Sequence, residues 1–212
     1  MTKRIFIFGT SGFSREVNDI AAVLGYEGIF IAEDELDRQQ FDGDQEVITE
    51  DQAATYRGEA FAIGIGDNAV RKKIASRYAS ELSFPTLIHP SATFGRRQFE
   101  MAECTQGSII CAGVRVTNNV VFGNFCIVNL NATIGHDVVL ENYVNIAPGA
   151  NISGNVLLSN GVWVGTGATV NQGRPRNPLV IGAHTTIGSG SVVVKSCDAN
   201  AVYVGVPAGK RA

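Results

Sequence analysis

A chain of 212 residues and 22.5 kDa can hold one medium domain or two small ones and bury a real core. Its 17 Lys and Arg against 20 Asp and Glu leave a formal charge of −3, which excludes the strongly basic balance of a nucleic-acid binder. With 45% hydrophobic and 17% charged residues it is not a disordered chain. No apolar run approaches the ~20 residues needed to cross a bilayer, so no membrane insertion is expected. Met1-Thr2-Lys3 leads straight into a short apolar strand, and Cys104, Cys111, Cys126 and Cys197 show no CxxC spacing. The expectation is a cytoplasmic protein with reduced thiols.

The first ninety residues alternate strand-like and helical runs. Ile5-Phe6-Ile7-Phe8 is a wholly apolar strand ending in Gly9-Thr10-Ser11-Gly12, after which Val17, Ile20, Ala21 and Leu24 keep helical spacing up to a stop at Gly25. Ile29–Ala32 is a second strand running into Glu33, Asp34 and Glu35. The stretch from Asp37 to Gln52 is polar and poorly periodic, and reads as a loop with a weak strand at Val47-Ile48. Phe61–Ile65 is a third strand, followed by Gly66-Asp67-Asn68 and a charged helix through Arg71, Lys72, Ile74 and Tyr78. Thr86-Leu87-Ile88 closes the region. Apolar strands separated by helices predict a small Rossmann-like parallel α/β domain over 1–90.

From about residue 108 the period becomes six. Ile110, Val116, Phe122, Val128, Ile134, Leu140, Ile146, Ile152, Leu158, Val164 and Val170 follow one another without a slip. Beside them runs a second, smaller column: Val114, Val120, Cys126, Ala132, Val138, Val144, Ala150, Val156, Val162 and Ala168. Chance filling of both columns has a probability on the order of 10⁻⁷. The pattern predicts a parallel β-helix over 91–212, three short strands per coil of about 18 residues, with apolar columns inside and Gly, Asn and Asp at the corners. Gln172-Gly173-Arg174-Pro175-Arg176-Asn177-Pro178 breaks the register, so a loop bulges out at 172–178 before Ile181, Ile187 and Val193 resume it.

Hexapeptide repeats of this kind resemble those of the left-handed β-helix acyltransferases; the hand is implied by that family. Gly9-Thr10-Ser11-Gly12, Ile63-Gly64-Ile65-Gly66-Asp67-Asn68 with Arg71-Lys72-Lys73, Leu87-Ile88-His89-Pro90-Ser91-Ala92, Ile134-Gly135-His136-Asp137 and Val204-Gly205-Val206-Pro207-Ala208 stand in the order found in the sialic-acid O-acetyltransferase-like proteins. Nearly the whole chain resembles their PglD-like, nucleotide-amino-sugar N-acetyltransferase branch. The resemblance implies a nucleotide-sugar in the first domain, acetyl-CoA on the β-helix, no metal, and a homotrimer with active sites between subunits.

His136 lies two positions past inward Ile134, at a corner where a side chain leaves the prism, and a neutral imidazole suits the base of an acyl transfer. From the residues alone it is equally a surface histidine, and Asp137 an ordinary turn residue. The resemblance makes His136 the general base for a sugar amine that attacks the thioester directly, and Asp137 its orienting partner. It makes the Gly154 N–H the oxyanion donor and places Asn145, Thr166, Gly190, Lys195, Pro207 and Lys210 along acetyl-CoA. Asn145 stands where the family carries a second histidine, so it keeps a hydrogen-bond donor without a titrating group. For the nucleotide-sugar the resemblance points to Gly9, Thr10, Ser11, Gly12, Phe13, Glu33, Asp34, Gly66, Asp67, Asn68 and Asn129, Phe13 replacing a family histidine.

The Gly9–Gly12 loop lacks a full GxGxxG fingerprint; with Glu33 or Asp34 it has the makings of a phosphate-and-ribose site. Arg174 and Arg176 read first as solvated, with a grip on a CoA phosphate as the alternative. Cys126 belongs to the inward column, and His89 and His184 lack partners at metal-ligand spacing. The leading expectation is an acetyl-CoA-dependent N-acetyltransferase acting on the 4-amino group of a nucleotide-linked amino-deoxy sugar, for surface-polysaccharide or glycoprotein synthesis. Two others stand beside it: a sugar O-acetyltransferase, and a non-catalytic trimeric sugar-nucleotide-binding scaffold.

Overall fold

The computed structural model describes residues 3–211, so Met1 and Thr2 of the expected approach to the first strand lie outside the described residues. Strands β1 (Lys3–Phe8), β2 (Tyr26–Ala32), β3 (Val47–Thr49) and β4 (Ala60–Ile63) form one parallel sheet in the order β3-β2-β1-β4. Alternation sends Ile5 and Ile7 to one face, against Val17, Ile20 and Ala21 of α1 (Gly12–Val23). Phe6 and Phe8 go to the other, against Ile74, Ala75 and Tyr78 of α3 (Asn68–Tyr78) and Ala53 of a 3₁₀ turn over 50–56. The stretch read as a loop contains a short helix, α2 (Glu35–Gln40). Asp34 caps it by accepting from the Asp37 N–H, and a Glu35–Arg38 ion pair holds its exposed side, so no apolar period announces it.

The second half is a three-faced parallel prism. The first face stacks 87–88, 109–110, 127–128, 145–146, 163–164, 186–187 and 202–204. The second stacks 93–94, 115–116, 133–134, 151–152, 169–170 and 192–193, and the third 121–122, 139–140, 156–158 and 179–181. Ile127 pairs with Asn145 and Asn145 with Trp163, a coil of 18 residues. Both apolar columns point inward and are buried, apart from the half-buried Phe122. A left-handed backbone recurs every sixth residue, at Asn119, Phe125, Asn131, Asp137, Tyr143, Gly149, Asn155, Gly161 and Gly167. Asn and Gly tolerate that conformation most readily, hence the corner composition.

The prism starts earlier than its period suggests. Leu87–Ile88, expected to close the first domain, pairs with Ile109–Ile110 as the first strand of the first face. The opening coil carries four extra residues and lodges α4 (Gln98–Glu103) where a third-face strand would stand, with Ala102 in the core and the Gln98 amide accepting from the Val120 N–H. A second irregularity lies at the expected loop, where Trp163 pairs with Thr186 and the coil gains five residues. At the far end each face is closed by a short segment. Cys197 exchanges hydrogen bonds with Val180 and Gly182, Gly205 and Ala208 bond to Val192, and 209–210 adds an antiparallel strand to 202–204.

The two halves are welded along the first face and the corner preceding it. Leu87, Ile109 and Ile127 share a core with Ile5, Ile7 and Val17. Arg71 of α3 is fully buried and donates to the carbonyls of Ile65, Gly66, Phe125 and Tyr143 and to the Asn68 side chain at 2.7–3.1 Å. Among the described residues no carboxylate forms an ion pair with it, and burial draws its pKa down to about 10, leaving it charged at neutral pH.

Candidate active site

The corner between the second and third faces carries His136, and one coil further on, about 4.8 Å along the prism, Gly154. His136 Nδ1 lies 2.7 Å from Asp137 Oδ2, and Asp137 Oδ1 accepts from the Asn119 amide at 2.6 Å. A carboxylate only accepts, so Nδ1 bears the proton of the neutral ring and Nε2 keeps the lone pair. The left-handed backbone of Asp137 turns two neighbouring side chains toward each other, which a regular strand would send apart. The Asn119 amide first, and His136 second, hold the Asp137 carboxyl below the usual aspartate range.

Gly154 is required here for room. Its φ is ordinary, but a Cβ on it would lie 2.5 Å from His136 Nε2 and 2.6 Å from Cε1, so the imidazole rests on its bare α-carbon. The Gly154 N–H bonds to no other described residue, as at the same position of each coil on this corner. Beside an imidazole lone pair it is a donor suited to an oxyanion.

A crevice of about 860 Å³ opens at the carboxyl ends of the parallel strands, where the strand order turns back at β1. Gly9, with φ +105, makes the turn out of β1. Thr10 donates to Asp37 Oδ1 at 2.8 Å, and the Glu33 N–H donates to Asp37 Oδ2 at 3.0 Å. Asp37, which sequence reasoning passed over inside a polar stretch, therefore ties the two expected loops together. Ser11 caps α1 with no side-chain bond, leaving first-turn N–H groups available to an anion. Lys73 of α3 supplies positive charge opposite Glu33 and Asp34, while Arg77 is engaged by Glu50 at 2.6 Å.

A second, smaller cavity of about 500 Å³ lies between Gly66-Asp67-Asn68 and the first face, lined also by Asn145, Trp163 and His184. Asn145 is buried, its amide donating to the Gly66 carbonyl at 2.9 Å, and Asn68 donates to the Gly161 carbonyl at 2.9 Å. Asp67 accepts from the Ala69 and Val70 N–H groups as the cap of α3. His184 rests on Gly161 as His136 rests on Gly154. The sequence signals for this cavity were weak, since Trp163 and His184 meet Asn68 only through the docking of the two halves.

Residues 4–78 match the family model of the PglD N-terminal domain. The acetyltransferase domain of PglB from Neisseria gonorrhoeae FA1090 is 28% identical, with a TM-score of 0.84 over 99% of this chain and 100% of that one. WeeI from Acinetobacter baumannii AYE is 26% identical, with a TM-score of 0.83 over the same shares. The first domain is thus similar to the PglD N-terminal domain. The whole chain has the fold of the left-handed β-helix acetyltransferases. PerB from Caulobacter crescentus, solved with CoA and GDP-perosamine, shares that fold at 24% identity and a TM-score of 0.83 over 100% of this chain and 99% of that one. The PglB domain has also been solved with acetyl coenzyme A.

Within one copy of the chain, His136, Asp137, Gly154 and Lys195 share the corner between the second and third faces, while Asn129, Thr166 and Gly190 occupy the corner between the first and second. Gly9, Thr10, Ser11, Glu33 and Asp34 meet in the large crevice, but Gly66, Asp67 and Asn68 line the smaller one. Gly12 stands open at the start of α1, and Phe13 packs half-buried against the Ile5–Ile7 side of the core, away from both cavities. Asn145 faces the first domain, not the His136 of its own chain. Lys210 is held by Asp198 at 2.9 Å, and Pro207 lies in the segment closing the second face. Among the described residues no group of three or more His, Cys, Asp or Glu could hold a metal ion, and no helix is long and apolar enough to cross a membrane.

Proposed function

We propose that the protein is an acetyl-CoA-dependent N-acetyltransferase acting on the 4-amino group of a nucleotide-linked amino-deoxy sugar. The observation that carries this reading is the His136–Asp137 pair seated on Gly154: a ring with its tautomer set and a free backbone donor beside it. His136 Nε2 takes the proton of the attacking amine, Asp137 supports the imidazolium so formed, and the Gly154 N–H meets the charge growing on the carbonyl oxygen. Acetyl-CoA supplies the activated acyl group as a thioester. The PglB domain bound to acetyl coenzyme A, at 27% identity over the full chain, supports that choice of donor.

The first domain holds the nucleotide in the crevice of Gly9–Ser11, Glu33 and Asp34, and the β-helix, which begins at Leu87, holds the acyl donor. Asn129, Thr166 and Gly190 are separated from His136 by the whole second face, so they serve one site only when corners of different copies meet. The working form is then a homotrimer with active sites between subunits. Its place is the cytoplasm, in the synthesis of a surface polysaccharide or glycoprotein.

The test is thiol release from acetyl-CoA with UDP-, dTDP- and GDP-linked 4-amino sugars, with His136→Ala in parallel. Release with one of them, lost by roughly 10²-fold or more in the variant, is expected. Release unchanged in the variant removes His136 as base, and release only with hydroxyl acceptors replaces the reading by O-acetyl transfer.

A further inference from the structure

The 172–178 loop has no part in the chemistry described above, yet it rises from the corner that carries His136. Its two stems are anchored on the residues beneath that ring: the Gly173 N–H donates to the Gly154 carbonyl and the Leu179 N–H to the Asn155 carbonyl, both at 3.0 Å. The Asn155 N–H in turn donates to the His136 carbonyl at 2.9 Å. A Cβ on Gly173 would lie 2.1 Å from the Asn155 carbonyl oxygen, so the stem is packed tightly against the coil below.

Above the stems Arg174 and Asn177 exchange two backbone hydrogen bonds, at 3.1 and 2.9 Å, around Pro175-Arg176. Pro at the first central position and φ +63 at the second make a type II turn, in which the second place ordinarily belongs to glycine. Here it is Arg176, so a cation stands where backbone economy asks for no side chain. Neither Arg174 nor Arg176 forms an ion pair or side-chain hydrogen bond with any described residue, and both are exposed. One coil further on, the same corner carries Lys195, also exposed and unpaired among the described residues.

We infer that the hairpin is a phosphate clamp for coenzyme A: Arg174 and Arg176, with Lys195 beyond them, take the phosphates of its nucleotide end while the thioester lies at His136 and Gly154. The inference rests on the acetyl-CoA reading above. It adds a dianion-binding element built from an insertion of five residues. The prism supplies a rigid root, the proline turn pre-orders the two guanidinium groups, and their planar donors suit phosphate oxygens.

Calorimetric binding of CoA and of pantetheine, which lacks every phosphate, to the full-length protein separates the outcomes. Wild type prefers CoA. In Arg174→Ala and in Arg176→Gly that preference falls by roughly tenfold or more, the scale of one charge-assisted contact, and Arg176→Lys restores part of it. Arg176→Gly also relaxes the turn, so its melting temperature holds or rises and unfolding does not account for the loss. Unchanged preference in both variants overturns the clamp while leaving the acetyltransferase standing. Weaker binding of a nucleoside diphosphate with CoA binding intact also overturns it, since the loop would then serve the other substrate. Wild type that binds no CoA removes the acetyl-CoA reading itself.

Discussion

Arg71→Met is the most direct trial of how the two halves are held. The guanidinium donates to four backbone carbonyls and to the Asn68 side chain, with no exposed surface. After the change the Gly66 carbonyl keeps the Asn145 amide, and Asn68 keeps its bond to Gly161. The carbonyls of Ile65, Phe125 and Tyr143 are left without a partner. At about 1–3 kcal/mol for each buried acceptor left unmade, reduced by the desolvation cost that the lost charge no longer exacts, the net loss is about 4 kcal/mol. For a chain of this size that corresponds to a melting temperature lower by roughly 8–16 °C. Urea unfolding followed by far-ultraviolet dichroism and by the fluorescence of Trp163, the single tryptophan, measures it. Arg71→Lys, with one compact ammonium in place of a planar fork, should recover less than half of the loss. A loss below about 1 kcal/mol for Arg71→Met would refute the claim that these carbonyls depend on the guanidinium.

Gly154→Ala should leave the fold intact, because φ at 154 is ordinary, yet cut acetyl transfer by roughly 10²-fold or more as the new methyl displaces the His136 ring; thiol release near the wild-type rate would contradict it. Asn119→Ala should raise the Asp137 titration seen by carboxyl-carbon NMR. Because the folded pKa of Asp137 is depressed, its contribution to stability is complete above the ordinary aspartate pKa and fades as pH falls through the lower, folded value; the variant loses it at a higher pH. Of the four cysteines only Cys104 is exposed, and burial pushes the Cys111 thiol up to about 12 and the Cys126 thiol up to about 11. A disulfide reagent should therefore titrate one thiol in the native protein and four in denaturant.

The prism was legible because a six-residue period has one physical cause, a column of side chains entering a shared interior once per face. The features that escaped obey no period. Helix α2 is held by an Asp34 cap and an ion pair, with nothing buried. Helix α4 stands in for a strand, tied by one glutamine and one alanine. Leu87–Ile88 reads as the end of the first domain because its outward side packs on that domain while its ladder runs the other way. At the site, His136 and Asp137 are neighbours in sequence and Gly154 lies one coil on, so the repeat itself brings them together. The anchoring role of Arg71 escaped because its partners are carbonyls up to 72 residues away, and carbonyl groups leave no mark in a sequence. The placing of Asn145 against Gly66 depends on the same docking of two halves.

A stack of parallel strands carries a hazard that its regularity conceals. Every coil offers the next one a ready row of N–H and C=O groups, so two such molecules set end to end would simply continue one another. In this chain α4 occupies the near end of the third face, and the segments around Cys197, Gly205–Ala208 and Gly209–Lys210 consume the ladder at the far end of all three. Together these segments act as a chain terminator in the polymer chemist's sense. Their removal would leave a protein whose folded state is itself a seed, growing filaments by addition of native monomers without prior unfolding.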